Sequence, residues 1–109
     1  MKRPIKTYQV DGDLIDWIQE NRLRIHIDIL EVCEENIESE NLDEIAAINV
    51  KTRNTQNLFV LNDEEAIIET LGLAINSFVE SEEYELAARA RDCKLSWEKR
   101  LSENGNVSS

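Results

Sequence analysis

One histidine, His26, two isolated cysteines, Cys33 and Cys93, and the carboxylates Glu34, Glu35 and Glu38 are the residues whose types suit catalysis or metal binding. A Ser-His-Asp or Cys-His arrangement would depend on that one imidazole, and neither cysteine stands inside a motif. The carboxylates lack the Asp-x-Asp-x-Asp-Gly loop that wraps oxygens around calcium, and no Cys/His spacing suits zinc. Only three glycines occur, none in a phosphate-cradling series, which argues against a nucleotide site. The expectation is therefore no catalytic residue, no metal, no cofactor and no enzymatic activity, with the carboxylates serving as solvated helix faces.

At 109 residues and 41% apolar content, the chain is the size of one domain with a modest core. Twelve Lys and Arg against 23 Asp and Glu leave a net charge of −11, which disfavours direct nucleic-acid binding, since that relies on clustered cations releasing counterions. No apolar run approaches the ~20 residues of a membrane span, and the start lacks the apolar centre of a signal peptide. A cytoplasmic protein with no membrane association is expected, its cysteines reduced and packed.

The acids are unevenly placed. Residues 11–45 carry twelve against Arg22 and Arg24, and residues 63–85 carry eight with no base. Residues 86–101 reverse the sign, with Arg89, Arg91, Lys94, Lys99 and Arg100 against Asp92 and Glu98. Such faces keep a protein soluble, and they also suit recognition of a basic partner or imitation of a nucleic acid.

These charges must be carried by a mostly helical α+β fold: a long N-terminal helix, a short β-hairpin, then an antiparallel C-terminal helical hairpin. Residues 1–10 have no period and suit an extended arm. Asp11, Gly12 and Asp13 supply a turn and a cap. Leu14, Ile18, Ile25, Ile29, Val32 and Cys33, widened by Ile15, Leu30 and Ile37, trace a helical stripe ending near Ser39. Within it Leu23, Ile25, Ile27 and Ile29 also alternate with polar residues as a strand would, so residues 22–29 admit either form; continuation at helical spacing and the absence of Gly and Pro favour helix. Residues 42–47 suit one more helical turn. Strands are expected over 46–52 and 57–61 around a polar turn at 53–56, with Ile48, Val50, Leu58 and Val60 on one face. Because two strands are barely stable alone, residues 5–10 are candidates for a third. Asn62, Asp63, Glu64 and Glu65 start a helix with the apolar face Ile67, Ile68, Leu71, Ala74, Ile75, Phe78 and Val79. Ser81 caps the next helix, which runs to about Leu101 and in which Glu85 and Arg89 form an i, i+4 pair. Residues 1–102 thus form one small domain, 11–62 being helix and β-hairpin and 63–102 the helical hairpin, and 103–109 a disordered tail.

The last helix carries Glu83, Tyr84, Glu85, then Ala87 and Ala88, then Arg91 and Asp92. An aromatic and small residues at helical spacing let a second helix approach closely. In this order they resemble the UVR motif, the helical hairpin found at the end of the excision-repair proteins UvrB and UvrC. Ala90 stands where that family usually has Leu, and Lys94 where it usually has an apolar residue, with Leu95 beside it. The resemblance covers residues 68–101 and implies association with another protein, with Tyr84, Glu85, Ala87, Ala88, Arg91 and Asp92 at the contact. Trp97, beside Lys94 and Arg100, is expected as an exposed anchor, and Trp17 also lies off the main stripe. Three functions follow: an adaptor or regulator docking a partner protein through the hairpin, an acidic inhibitor filling the groove of a DNA- or RNA-binding protein, and a homodimer joined through the apolar stripes.

Overall fold

The computed structural model describes residues 6–38, 45–61 and 63–107. It is mostly helical, with four helices and a three-stranded sheet, in the order β1 (Lys6–Gln9), α1 (Leu14–Glu20), α2 (Arg22–Glu35), β2 (Ile45–Lys51), β3 (Gln56–Leu61), α3 (Glu64–Glu80) and α4 (Tyr84–Val107). The expectations for residues 1–5, 39–44, Asn62 and 108–109 fall outside the described residues; of the helical turn expected over 42–47, residues 45–47 are instead the start of β2, their backbone paired with β3.

The long N-terminal helix is two helices. Asp13 caps α1 through its carboxylate, which accepts from the Ile15 and Asp16 amides at 2.9 and 3.1 Å. Asn21 ends it: its amide side chain donates to the Trp17 carbonyl at 2.9 Å, a local bond that competes with helix continuation, and its ψ of 21° redirects the chain. Beyond it, α2 is helical where residues 22–29 admitted a strand. The run looked alternating because α2 has neighbours on several sides. Ile25 and Ile29 are buried while Leu23 and Ile27 are half-buried against the same core.

The N-terminal arm does form the third strand. β1 pairs in parallel with β2, and the two helices between them supply the long connection parallel pairing requires. Asp28, fully buried on α2, holds β1 down by accepting from Lys6 Nζ at 2.7 Å and from the Tyr8 hydroxyl. Trp17 of α1 packs on the Tyr8 ring, the centroids 5.3 Å apart.

The hairpin register corrects one expectation. Turn residues 52–55, closed by the Thr52 amide donating to the Thr55 carbonyl at 2.8 Å, set Lys51 opposite Gln56, so over Ile48–Lys51 even-numbered positions of β2 face odd-numbered positions of β3, until an irregularity between Ala46 and Ile48 shifts the pairing and sets Ala46 opposite Val60. Ile48 therefore lies across from Phe59 and Val50 across from Asn57 on the core face, whereas Leu58 lies across from Asn49 on the other. Leu58 and Val60 consequently face away from Ile48 and Val50, because a one-residue change of register moves every side chain to the opposite face.

α2 is the middle layer, with β2 on one side and the α3–α4 pair on the other. The core is continuous from Ile48, Val50 and Leu61 through Leu30, Val32 and Cys33 to Ile67, Leu71, Ala74, Phe78, Ala87, Ala90 and Trp97. Asp63 caps α3, accepting from the Ala66 amide at 2.7 Å. Ser81, expected to cap α4, instead ends α3. The amides of Glu82 and Glu83 donate back to the Val79 and Phe78 carbonyls at 3.0 and 2.7 Å, with Glu82 in the left-handed region at φ 59°. This paired closure reverses the chain within three residues. α4 then continues to Val107, past the Leu101 boundary, so residues 103–107 are helical rather than part of a disordered tail.

No helix among the described residues is long and apolar enough to cross a membrane.

Candidate partner-binding surface

The tight turn at residues 81–83 lays α4 back along α3 and decides which side of α4 faces inward. Ala87, Ala90, Cys93 and Trp97 are buried, a three- and four-residue spacing that makes one face of a helix. Ala87 is only 2% exposed, and with Ala90 it presents methyl groups that let α3 come close.

Trp97 is fully buried and is not an exposed anchor. Its indole N–H donates to the Cys33 carbonyl of α2 at 3.1 Å, and the Arg100 guanidinium lies over its ring, 4.9 Å from the centroid. Arg100 also donates to the Ile37 carbonyl at 2.9 Å, closing the chain beyond the C-terminal end of α2, and lies 3.9 Å from Glu64 of α3. One cation thus ties three elements together. Trp17 is half-buried on Tyr8, so neither tryptophan is an exposed docking residue. The signal that places Trp97 inside was in the sequence: it extends the line of Ala90 and Cys93 by one more turn.

Arg89 pairs with Glu34 of α2 at 2.6 Å rather than with Glu85 one turn away. Glu34 offers both carboxylate oxygens to it, a two-point contact that a neighbour on the same helix does not make here. Arg89 and Glu34 border a cleft of about 260 Å³ between α2 and α4 with Ile37, Asp92, Cys93 and Ser96. Burial pushes the Cys93 thiol up to about 11, and burial raises Cys33 further still. Both stay protonated, so the cleft has no thiolate nucleophile near neutral pH.

The opposite face of α4 is open. Tyr84 (62% exposed), Ala88, Arg91 and Leu95 (57% exposed) follow one another at i, i+4, i+7 and i+11, with Asp92 beside them and Glu85 exposed near the start. Of the residues expected at a contact, Tyr84, Glu85, Ala88, Arg91 and Asp92 therefore share the accessible side. Ala87 and Trp97 do not; they hold the helix against the rest of the protein. Tyr84 and Ala88 were expected on the packing side with α3, and the structure turns both outward. Leu95, next to Lys94 in the sequence, also belongs to the open stripe.

His26 is half-buried with its ring edge-on to Phe78 at 6.3 Å, and its Nδ1 has no hydrogen-bond partner among the described residues. Desolvation holds its pKa below the ordinary value, as does the nearby Arg22 charge. The ring lies against Phe78 at the margin of the core. Among the described residues no three His, Cys, Asp or Glu side chains gather as a metal site would require.

Compared with family models, with curated proteins and with solved structures, the chain matches none.

Proposed function

We propose that this chain is a non-enzymatic adaptor or regulatory protein that captures a partner protein on the open face of α4, the outer side of a UVR-like hairpin. One observation carries the proposal: the Tyr84, Ala88, Arg91 and Leu95 stripe, in which a large aromatic and a Leu flank an Ala notch on a helix whose other face is fixed in the core. Apolar anchors at helical spacing with a small residue between them suit an amphipathic helix laid alongside. Arg91 and Asp92 add polar contacts at the rim, which favour a correct register more than affinity.

A competing function has its own support. Glu80, Glu82, Glu83 and Glu85 are exposed together around the α3–α4 turn, an acidic tip suited to the basic groove of a DNA- or RNA-binding protein. The two make opposite predictions about salt. Capture from lysate of the source cell with the tagged full chain, at about 0.1 M and about 0.5 M salt, separates them because exposed charge pairs are screened within a few ångströms at the higher value. A partner held through the stripe is retained at high salt and lost with Ala88→Glu or Tyr84→Ala. Release of the partner by salt, together with indifference to both substitutions, would refute the adaptor function and support the acidic one.

A further inference from the structure

β3 is an edge strand, and its six residues, Gln56, Asn57, Leu58, Phe59, Val60 and Leu61, carry no charge in a chain that is 32% charged. Among the described residues no strand pairs with its outer side. Leu58 is 51% exposed, and Phe59 and Val60 are each more than a third exposed. Exposed apolar edges template pairing with another strand, and proteins usually blunt them with Lys, Pro, a bulge or extreme shortness. The opposite edge shows such protection, since β1 is four residues long and includes Lys6. β3 has no charge and no proline within it.

The charges at its two ends indicate the occupant. Lys51 and Arg53 stand at the turn before β3, and Asp63 and Glu65, both exposed, stand just after it. A like strand laid antiparallel brings the basic end of one copy beside the acidic end of the other, twice by symmetry, whereas a parallel arrangement would set like charges together. A two-fold axis perpendicular to the sheet also preserves its faces. Centred on Phe59, it sets Leu58 opposite Val60 of the second copy on the open face, an apolar cross-strand pair, and the two Phe59 side chains together on the other.

We infer that β3 is a self-association surface, on which a second copy of this chain adds antiparallel through β3 to make one continuous six-stranded sheet. The surface is independent of the α4 stripe. One short strand pair buries less than a standard interface, so the dimer is weak and concentration-dependent. Both copies carry −11, and the uncharged edge is where they approach with least repulsion.

Sedimentation equilibrium of the full chain from about 10 μM to about 1 mM covers the affinity range of a small interface, in 0.15 M salt, where the screening length is about 8 Å. The wild type moves from monomer to dimer across this range. Leu58→Lys stays monomeric while keeping the wild-type far-UV spectrum, because the side chain is half in solvent already. Arg53→Glu weakens association by about tenfold, two symmetry-related attractions becoming repulsions at once, and Arg53→Glu combined with Glu65→Arg restores it. A wild type that remains monomeric throughout overturns the inference. So does a dimer that tolerates Leu58→Lys but is lost with Ala88→Glu, which would place self-association on α4.

Discussion

Ala87 and Ala88 are adjacent, identical in chemistry, and about 100° apart around α4, and the structure assigns them opposite environments: the first is 2% exposed against α3, the second is open to solvent. Replacing each by Leu adds the same three carbon atoms at nearly the same helix propensity. At Ala87 those atoms enter an already filled core, where overpacking costs about 1–3 kcal/mol. For a domain of this size each kcal/mol lowers Tm by roughly 4–8 °C, so a 2 kcal/mol penalty corresponds to roughly 8–16 °C. At Ala88 the added atoms meet water, and the change stays within about 0.5 kcal/mol, or roughly 4 °C. Thermal unfolding followed by far-UV circular dichroism measures both, with chemical denaturation to check that the transition is two-state. Equal losses of stability, or a larger loss at Ala88, would mean that α4 is rotated from the orientation described, and the stripe of Tyr84, Ala88, Arg91 and Leu95 would no longer be an available surface. The Ala88→Leu protein has a second use, since it should fold normally while changing the shape of the notch on which the proposed partner capture rests.

The N-terminal strand should loosen in alkali. The hydrogen bond to Asp28 raises the pKa of Lys6, and burial, followed by its own bond to Asp28, raises that of Tyr8. With both folded values above the ordinary 10.5 and 10.0, their stabilisation is complete below those values and lost as pH rises through the raised ones; denaturant midpoints should fall above about pH 10, and less so in Lys6→Met combined with Tyr8→Phe. Both thiols are buried and held protonated, so a disulfide reagent at pH 8 should label neither in the native protein and both in denaturant; rapid native labelling of Cys93 would contradict its burial in the wall of the α2–α4 cleft. Glu82 sits at a positive φ that glycine adopts without steric cost, so Glu82→Gly should raise stability by about 0.5–1 kcal/mol, and a loss would show that the Glu82 side chain stabilises the turn.

Local chemistry was legible wherever one side chain acts on its own neighbours. Asp13 and Asp63 announced helix starts because a carboxylate three residues ahead of an amide is a complete capping device. The apolar period of α3 marked Ile67, Leu71, Ala74 and Phe78 as core, and polar residues between two apolar runs marked the β-hairpin. Asp28 carries a further signal in the sequence. It falls in line with Ile25, Ile29 and Val32, so an acid stood on the apolar stripe, and such a residue is either an error of assignment or a buried charge awaiting a partner. Its partners, Lys6 and Tyr8, lie on another element at 22 and 20 residues' separation.

The order of residues alone therefore settled most element types, the caps at Asp13 and Asp63, the acidic balance and the small-residue line that makes a close helix pair, all of which depend on neighbours within a turn or a strand pair. Tertiary structure decided which way those elements are turned. Whether Trp97 is anchor or core rests on α2 coming within 3.1 Å of its indole, and whether Arg89 meets Glu85 or Glu34 rests on the same docking. The face shown by Leu58 follows from a turn length, and the open side of α4 from the angle at which residues 81–83 return the chain. Each is a contact or an orientation between elements distant in sequence, and periodicity marks the side of a helix that is apolar without saying how many neighbours cover the rest.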